Sequence, residues 1–126
     1  MCREIHGHSY RLFVTIKGEP SQCESNPKCG MVMDFGDLKR IVNSEIIDRL
    51  DHSFVLRNSE QNVELQRVFS AKFEKIVLVE YQPTCENMLV DFAARLKAAL
   101  PATVTLHSLR LHETATSYAE WYNDEN

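Results

Sequence analysis

From Ser9 to Lys17 the chain alternates without interruption, with Tyr10, Leu12, Val14 and Ile16 on one face and Arg11, Phe13, Thr15 and Lys17 on the other. A period of two predicts a strand with one face on a core. His6 and His8 share the parity of Tyr10. A Ser-, Pro-, Asn- and Lys-rich loop follows from Gly18 to Gly30, and Met31–Asp34 then reads as a short strand paired back on the first. Beyond it the period lengthens. Asp34 and Asp37 mark a helix start, and Leu38, Ile41, Val42, Glu45, Ile46 and Leu50 recur at helical spacing to about residue 50. Asp51-His52 falls just past that helix.

Arg57 to Phe73 is polar and poorly periodic, which predicts a loop with one helical turn at Val63–Phe69. Lys75–Glu80 is rich in branched apolar residues and reads as a buried strand. Pro83-Thr84-Cys85-Glu86-Asn87 opens a second helix, with Thr84 as its cap and Glu86 facing the positive helix end. Met88, Leu89, Phe92, Ala93, Leu96 and Leu100 form its apolar stripe, and Pro101 stops it. Strands at Val104–His112 and Ala115–Tyr122 complete the order strand, strand, helix, strand, helix, strand, strand. Two helices grouped against a mainly antiparallel sheet make the class α+β.

A length of 126 residues fits one domain spanning 1–126. The formal charge of −4, with Lys and Arg scattered, offers nucleic acid no electrostatic footprint. No apolar run has the length of a membrane span and the N-terminus lacks the apolar core of a signal peptide, so the reading is cytoplasmic. Cys2, Cys23, Cys29 and Cys85 are accordingly read as reduced thiols. Cys23 and Cys29 do not have a zinc-knuckle spacing.

Candidate chemistry is concentrated at a few positions. His6 and His8 flank Gly7 on one strand face, so both can reach a single metal ion, and Cys2 stands four residues earlier. A dication and imidazoles would lower that thiol's pKa and suit it to act as nucleophile or general base. In Asp51-His52 a carboxylate can orient an imidazole if the pair occupies a turn; the alternative is a helix-end histidine beside an unrelated exposed aspartate. Glu113, between two strands, can accept two parallel hydrogen bonds from a guanidine-like ring edge such as that of a pterin. His107 and His112 read as strand or surface histidines, either available as a third metal donor.

Five segments together resemble the 6-pyruvoyltetrahydropterin and 6-carboxytetrahydropterin synthase family. They are Cys-x-x-x-His-Gly-His-Ser-Tyr at Cys2–Tyr10, Gly-Met-Val-Met-Asp-Phe at Gly30–Phe35, Leu-Asp-His at Leu50–His52, Pro-Thr-x-Glu-Asn at Pro83–Asn87, and His-Glu-Thr followed by Tyr-Ala-Glu-Trp at His112–Trp121. The resemblance implies the tunnelling fold, assembled as trimers or hexamers with active sites at subunit interfaces. It implies zinc on His6 and His8, Cys2 as catalytic thiol, Asp51 and His52 as proton-transfer dyad, Glu113 as ring anchor, and Thr84 and Glu86 as further substrate-binding residues. The implied substrate is 7,8-dihydroneopterin triphosphate. The short interval from Cys2 to His6 resembles the carboxy-forming branch, which releases acetaldehyde and triphosphate on the route to queuosine. The pyruvoyl branch, a pterin aldolase and a non-catalytic pterin-binding oligomer are the alternatives.

The family also places a strand carrying its first zinc histidine ahead of the catalytic cysteine. With Cys2 the second residue, the expectation is that this edge strand and ligand are absent, through a start assigned too far downstream, a shortened chain or abandoned catalysis. The first two rank ahead, because Cys2, Asp51, His52 and Glu113 are all present. Weak zinc binding and little synthase activity are then expected of the chain as given.

Overall fold

The computed structural model describes residues 10–20, 30–70 and 75–124. Strand β1, Arg11–Gly18, follows the alternation of its sequence, with Leu12, Val14 and Ile16 half-buried and Arg11, Phe13 and Thr15 exposed. Its partner is not the Met31–Asp34 segment. β1 pairs antiparallel with β4, Val104–His112, which in turn pairs antiparallel with β5, Tyr118–Tyr122. The sheet order is therefore β1-β4-β5.

Met31–Met33 bends instead of extending, correcting the predicted second strand. A four-residue apolar run cannot distinguish a strand from a bend that packs. Here Val32 packs beside Gly18, and Asp34 immediately caps a helix by accepting a hydrogen bond from the Gly36 N–H at 2.7 Å. That helix runs as α1, Phe35–Val42, through a π turn at Asn43–Ile47, into the short α2, Asp48–Leu50. Wider winding in the π turn accompanies the burial of Ile46 in the core.

β2, Phe54–Arg57, leads into the stretch read as a loop; there the helical turn expected at Val63–Phe69 is α3, Val63–Ser70, preceded by a 3₁₀ turn at Glu60–Asn62. β2 pairs in parallel with β3, Ile76–Val79, in the register Phe54↔Ile76 to Arg57↔Val79. The fold thus carries a small parallel pair joined by a helical crossover beside its antiparallel sheet. α4, Cys85–Ala99, is the predicted second helix, and Thr84 caps it by accepting from the Asn87 N–H at 3.2 Å.

Met88, Leu89, Phe92, Ala93 and Leu96 of α4 meet Ile46 of the π turn and Leu106, Leu109, Leu111 and Ala119 of the sheet to form the core. The α+β arrangement, with helices on one sheet face, agrees with the sequence reading. Burial parity in β4 switches from Val104 and Leu106 to Leu109 and Leu111 because His107 bulges: Thr15 faces Ser108, whereas Ile16 faces Leu106. Asn123 holds the bulge, its N–H donating to the His107 carbonyl at 3.0 Å and its side-chain amide to the Leu106 carbonyl at 2.9 Å. Among the described residues no helix is long and apolar enough to cross a membrane.

Candidate active site

Glu113 directly follows β4, and its position is set by the sheet register. Arg11 faces His112, so Tyr10, one residue before the paired ladder, comes opposite Glu113 on the parity of the buried Leu109 and Leu111. The Glu113 N–H donates to the Ser117 carbonyl at 2.9 Å, which closes the turn into β5. Cys85, the first residue of α4, packs against the core from the helix side.

Two of these side chains titrate above their ordinary range. Burial pushes the Cys85 thiol above its usual range, and the carboxylates of Glu113 and Glu86 push it further. Burial likewise raises the Tyr10 hydroxyl, followed by the charges of Cys85 and Glu113. Thr84 and Glu86 flank Cys85 at the start of α4, and Glu113, expected with them to bind substrate, is near enough for its charge to act on the Cys85 thiol. Tyr10 and Cys85 join them, and neither was singled out from the sequence for this role. Cys85 had a visible signal in its place within the helix opening, whereas Tyr10 required the register.

Asp51 and His52 sit where α2 ends. Asp51 is extended at φ −60° and ψ 131°, and His52 takes the left-handed conformation at φ 56°. This reversal lets adjacent side chains approach, with Asp51 Oδ2 3.7 Å from His52 Nε2. Both are open to solvent, His52 at 93% and Asp51 at 62% side-chain exposure, so packing does not orient the imidazole. The turn itself is tied down: the Asp51 N–H donates to the Ile47 carbonyl at 2.7 Å, and the Ser53 N–H donates to that of Leu50 at 3.0 Å. The Lys75 ammonium donates to the Asp48 carbonyl and, at 3.0 Å, to that of Asp51.

Cys2, His6 and His8 lie outside the described residues, as do Cys23 and Cys29. Among the described residues no group of three His, Cys, Asp or Glu side chains could hold a metal ion. His112 instead packs between aromatic rings, 5.3 Å from Phe13 and 4.8 Å from Tyr118. A hollow of about 230 Å³ on the helix-free sheet face is lined by Phe13, Thr15, Ser108, Leu109, Arg110, Glu120 and Tyr122, none of them a predicted site residue.

Comparison with known proteins resolves the family. The profile of 6-pyruvoyl tetrahydropterin synthase matches residues 1–124. The chain belongs to the 6-pyruvoyl tetrahydropterin synthase family. Members of this family include a 6-carboxy-5,6,7,8-tetrahydropterin synthase of Haemophilus influenzae, 34% identical over 121 residues that cover 95% of this chain and 83% of the relative. One of the same name from Aquifex aeolicus is 38% identical over 128 residues, covering 95% of this chain and 75% of the relative. A 6-pyruvoyl tetrahydrobiopterin synthase of Poecilia reticulata is 32% identical over 109 residues, covering 86% and 59%. In fold, an uncharacterised protein from Wolinella succinogenes superposes at a TM-score of 0.77 with 23% identity, covering 98% of this chain and 81% of that one.

Proposed function

We propose that this protein is a zinc-dependent 6-carboxy-5,6,7,8-tetrahydropterin synthase, converting 7,8-dihydroneopterin triphosphate to 6-carboxytetrahydropterin, acetaldehyde and triphosphate. The observation that carries the reading is the family match over residues 1–124, with 34% and 38% identity over the aligned residues to relatives of that name. Glu113 accepts two N–H groups from the pterin ring edge and so fixes its orientation. Thr84 and Glu86 bind substrate beside it.

Cys2 and the Asp51–His52 dyad move protons on opposite sides of the bound side chain, with Asp51 steadying the imidazole as it gains charge. His6 and His8 would hold zinc; two imidazoles form part of the three-ligand set usual at a catalytic zinc. When bound, zinc supplies Lewis acidity at the side-chain hydroxyls. The same reading takes the protein to be cytoplasmic, a homo-oligomer of three or six chains, acting on a small-molecule pterin triphosphate without nucleic acid or membrane.

Incubation with zinc and 7,8-dihydroneopterin triphosphate tests it. Acetaldehyde release is the expected outcome, slow because His6 and His8 supply only two of the three protein ligands usual at a catalytic zinc. Triphosphate release without acetaldehyde would favour the pyruvoyl reaction, for which the Poecilia relative at 32% identity is the supporting observation. Ring binding with no turnover would make the protein a non-catalytic pterin-binding module.

A further inference from the structure

Among the described residues the His52 ring has no packed neighbour to hold it in place. The imidazole is 93% exposed and touches Asp51 only loosely, so its direction follows from the backbone of the turn that presents it. That backbone is in the left-handed region, which costs free energy for a non-glycine residue unless the surroundings enforce it. Carbonyls at a helix end lack intrahelical partners and carry the negative end of the helix dipole. Here the Ile47 carbonyl accepts from the Asp51 N–H in the ordinary helical way, that of Leu50 accepts from Ser53, and those of Asp48 and Asp51 accept from the ammonium of Lys75. Lys75 alone among these donors comes from a distant part of the chain, 24 residues beyond Asp51.

Its arrival is built into the topology. β2 and β3 run in parallel with Phe54 opposite Ile76, so the residues preceding them, Ser53 and Lys75, enter the pair at the same end. The excursion through α3 therefore returns the chain to the turn it left. We propose that Lys75 is a positioning residue of this enzyme: by bridging the Asp48 and Asp51 carbonyls it locks the left-handed turn that aims His52 at the substrate, and the β2-α3-β3 unit exists to deliver it. This rests on the reading of Asp51 and His52 as the proton-transfer dyad.

The test is a double-mutant cycle on the zinc-supplied full chain with 7,8-dihydroneopterin triphosphate. Lys75→Met should lower kcat by about 10- to 100-fold with KM little changed, the loss typical of a slightly misplaced catalytic group. Lys75→Arg, which keeps a cationic donor, should recover most of it. In a His52→Ala background the Lys75→Met change should cost nothing further, because the group it positions is gone. Lys75→Gln serves in the same cycle should the Met variant not fold.

Imidazole NMR signals give a readout independent of turnover. Those of His52 should shift in the Lys75 variant while those of His107 and His112 stay in place. An unchanged kcat in Lys75→Met, an equal loss with and without His52, or a shift common to all three histidines would each overturn the inference. If His52→Ala itself keeps full activity, the dyad reading fails and the role of Lys75 with it; if His52→Ala is impaired and Lys75→Met is not, only the role of Lys75 falls.

Discussion

Gly18 shows how much one hydrogen atom in place of a side chain can matter. A Cβ there would lie 2.9 Å from the Thr103 carbonyl oxygen and 3.1 Å from Val32 Cγ1, and the first of these is backbone that cannot rotate away. Gly18→Ala should destabilise the protein by about 1–3 kcal/mol, as overpacking commonly does, measured by urea unfolding. At the candidate site, Cys85 is held protonated first by burial and then by Glu113 and Glu86. Glu113→Gln removes one of the carboxylates that raise its pKa, so more thiolate is present at a given pH. Alkylation of the Cys85 peptide near pH 8, followed by mass spectrometry, should accelerate. An unchanged rate would mean that the two groups are not electrostatic neighbours.

Elements are held to one another by a few polar ties as well as by the core. α4 depends on its cap: Thr84→Ala removes the acceptor for the Asn87 N–H and should cost about 1 kcal/mol of stability, read from the shift in denaturation midpoint. In its middle, Asp91 accepts from the Tyr81 hydroxyl at 2.8 Å and from Arg95 Nε at 3.1 Å, with Arg49 Nη1 at 3.6 Å. These contacts join α4 to α2 and to the segment after β3. Burial, followed by the hydrogen bond and charge of Asp91, raises the Tyr81 pKa far above its ordinary 10.0. Since the folded value is raised, this stabilisation is complete below the unfolded pKa and is lost as pH rises above about 10. Tyr81→Phe should therefore be less stable at neutral pH by about 1 kcal/mol, and its deficit should shrink in alkaline solution. Thermal melts across pH 7 to about 11 would show whether the curves converge.

At the scale of the whole molecule, the proposed assembly predicts a mass of three or six 14.5 kDa chains by light scattering, and a monomer would count against shared active sites. Much of the architecture could be read from local patterns. β1, β4, β5 and the helices beginning at Phe35 and Cys85 each carry a period or a cap that reports its own structure. What escaped was either short or non-local. Met31–Met33 is apolar enough for a strand but leads straight into a capped helix, and Phe54–Arg57 has no periodicity of its own and becomes a strand only by pairing with β3. The bulge at His107 belongs to a register between two strands, so neither strand announces it.

The candidate site divides along the same line. By itself the sequence determined the chemical inventory, from the adjacent Asp51 and His52 to the Thr84-Cys85-Glu86 helix opening and the carboxylate at Glu113, because residue type and short spacing are local properties. Tertiary structure decided which of these share a place. It set Tyr10 opposite Glu113 through the β1–β4 register, brought Cys85 to the same end of the sheet, and returned Lys75 to the turn at His52 through a parallel pair. Such contacts join residues 24 to 103 positions apart, where only the folded backbone, with its hydrogen bonds satisfied and its apolar faces buried, fixes the distance.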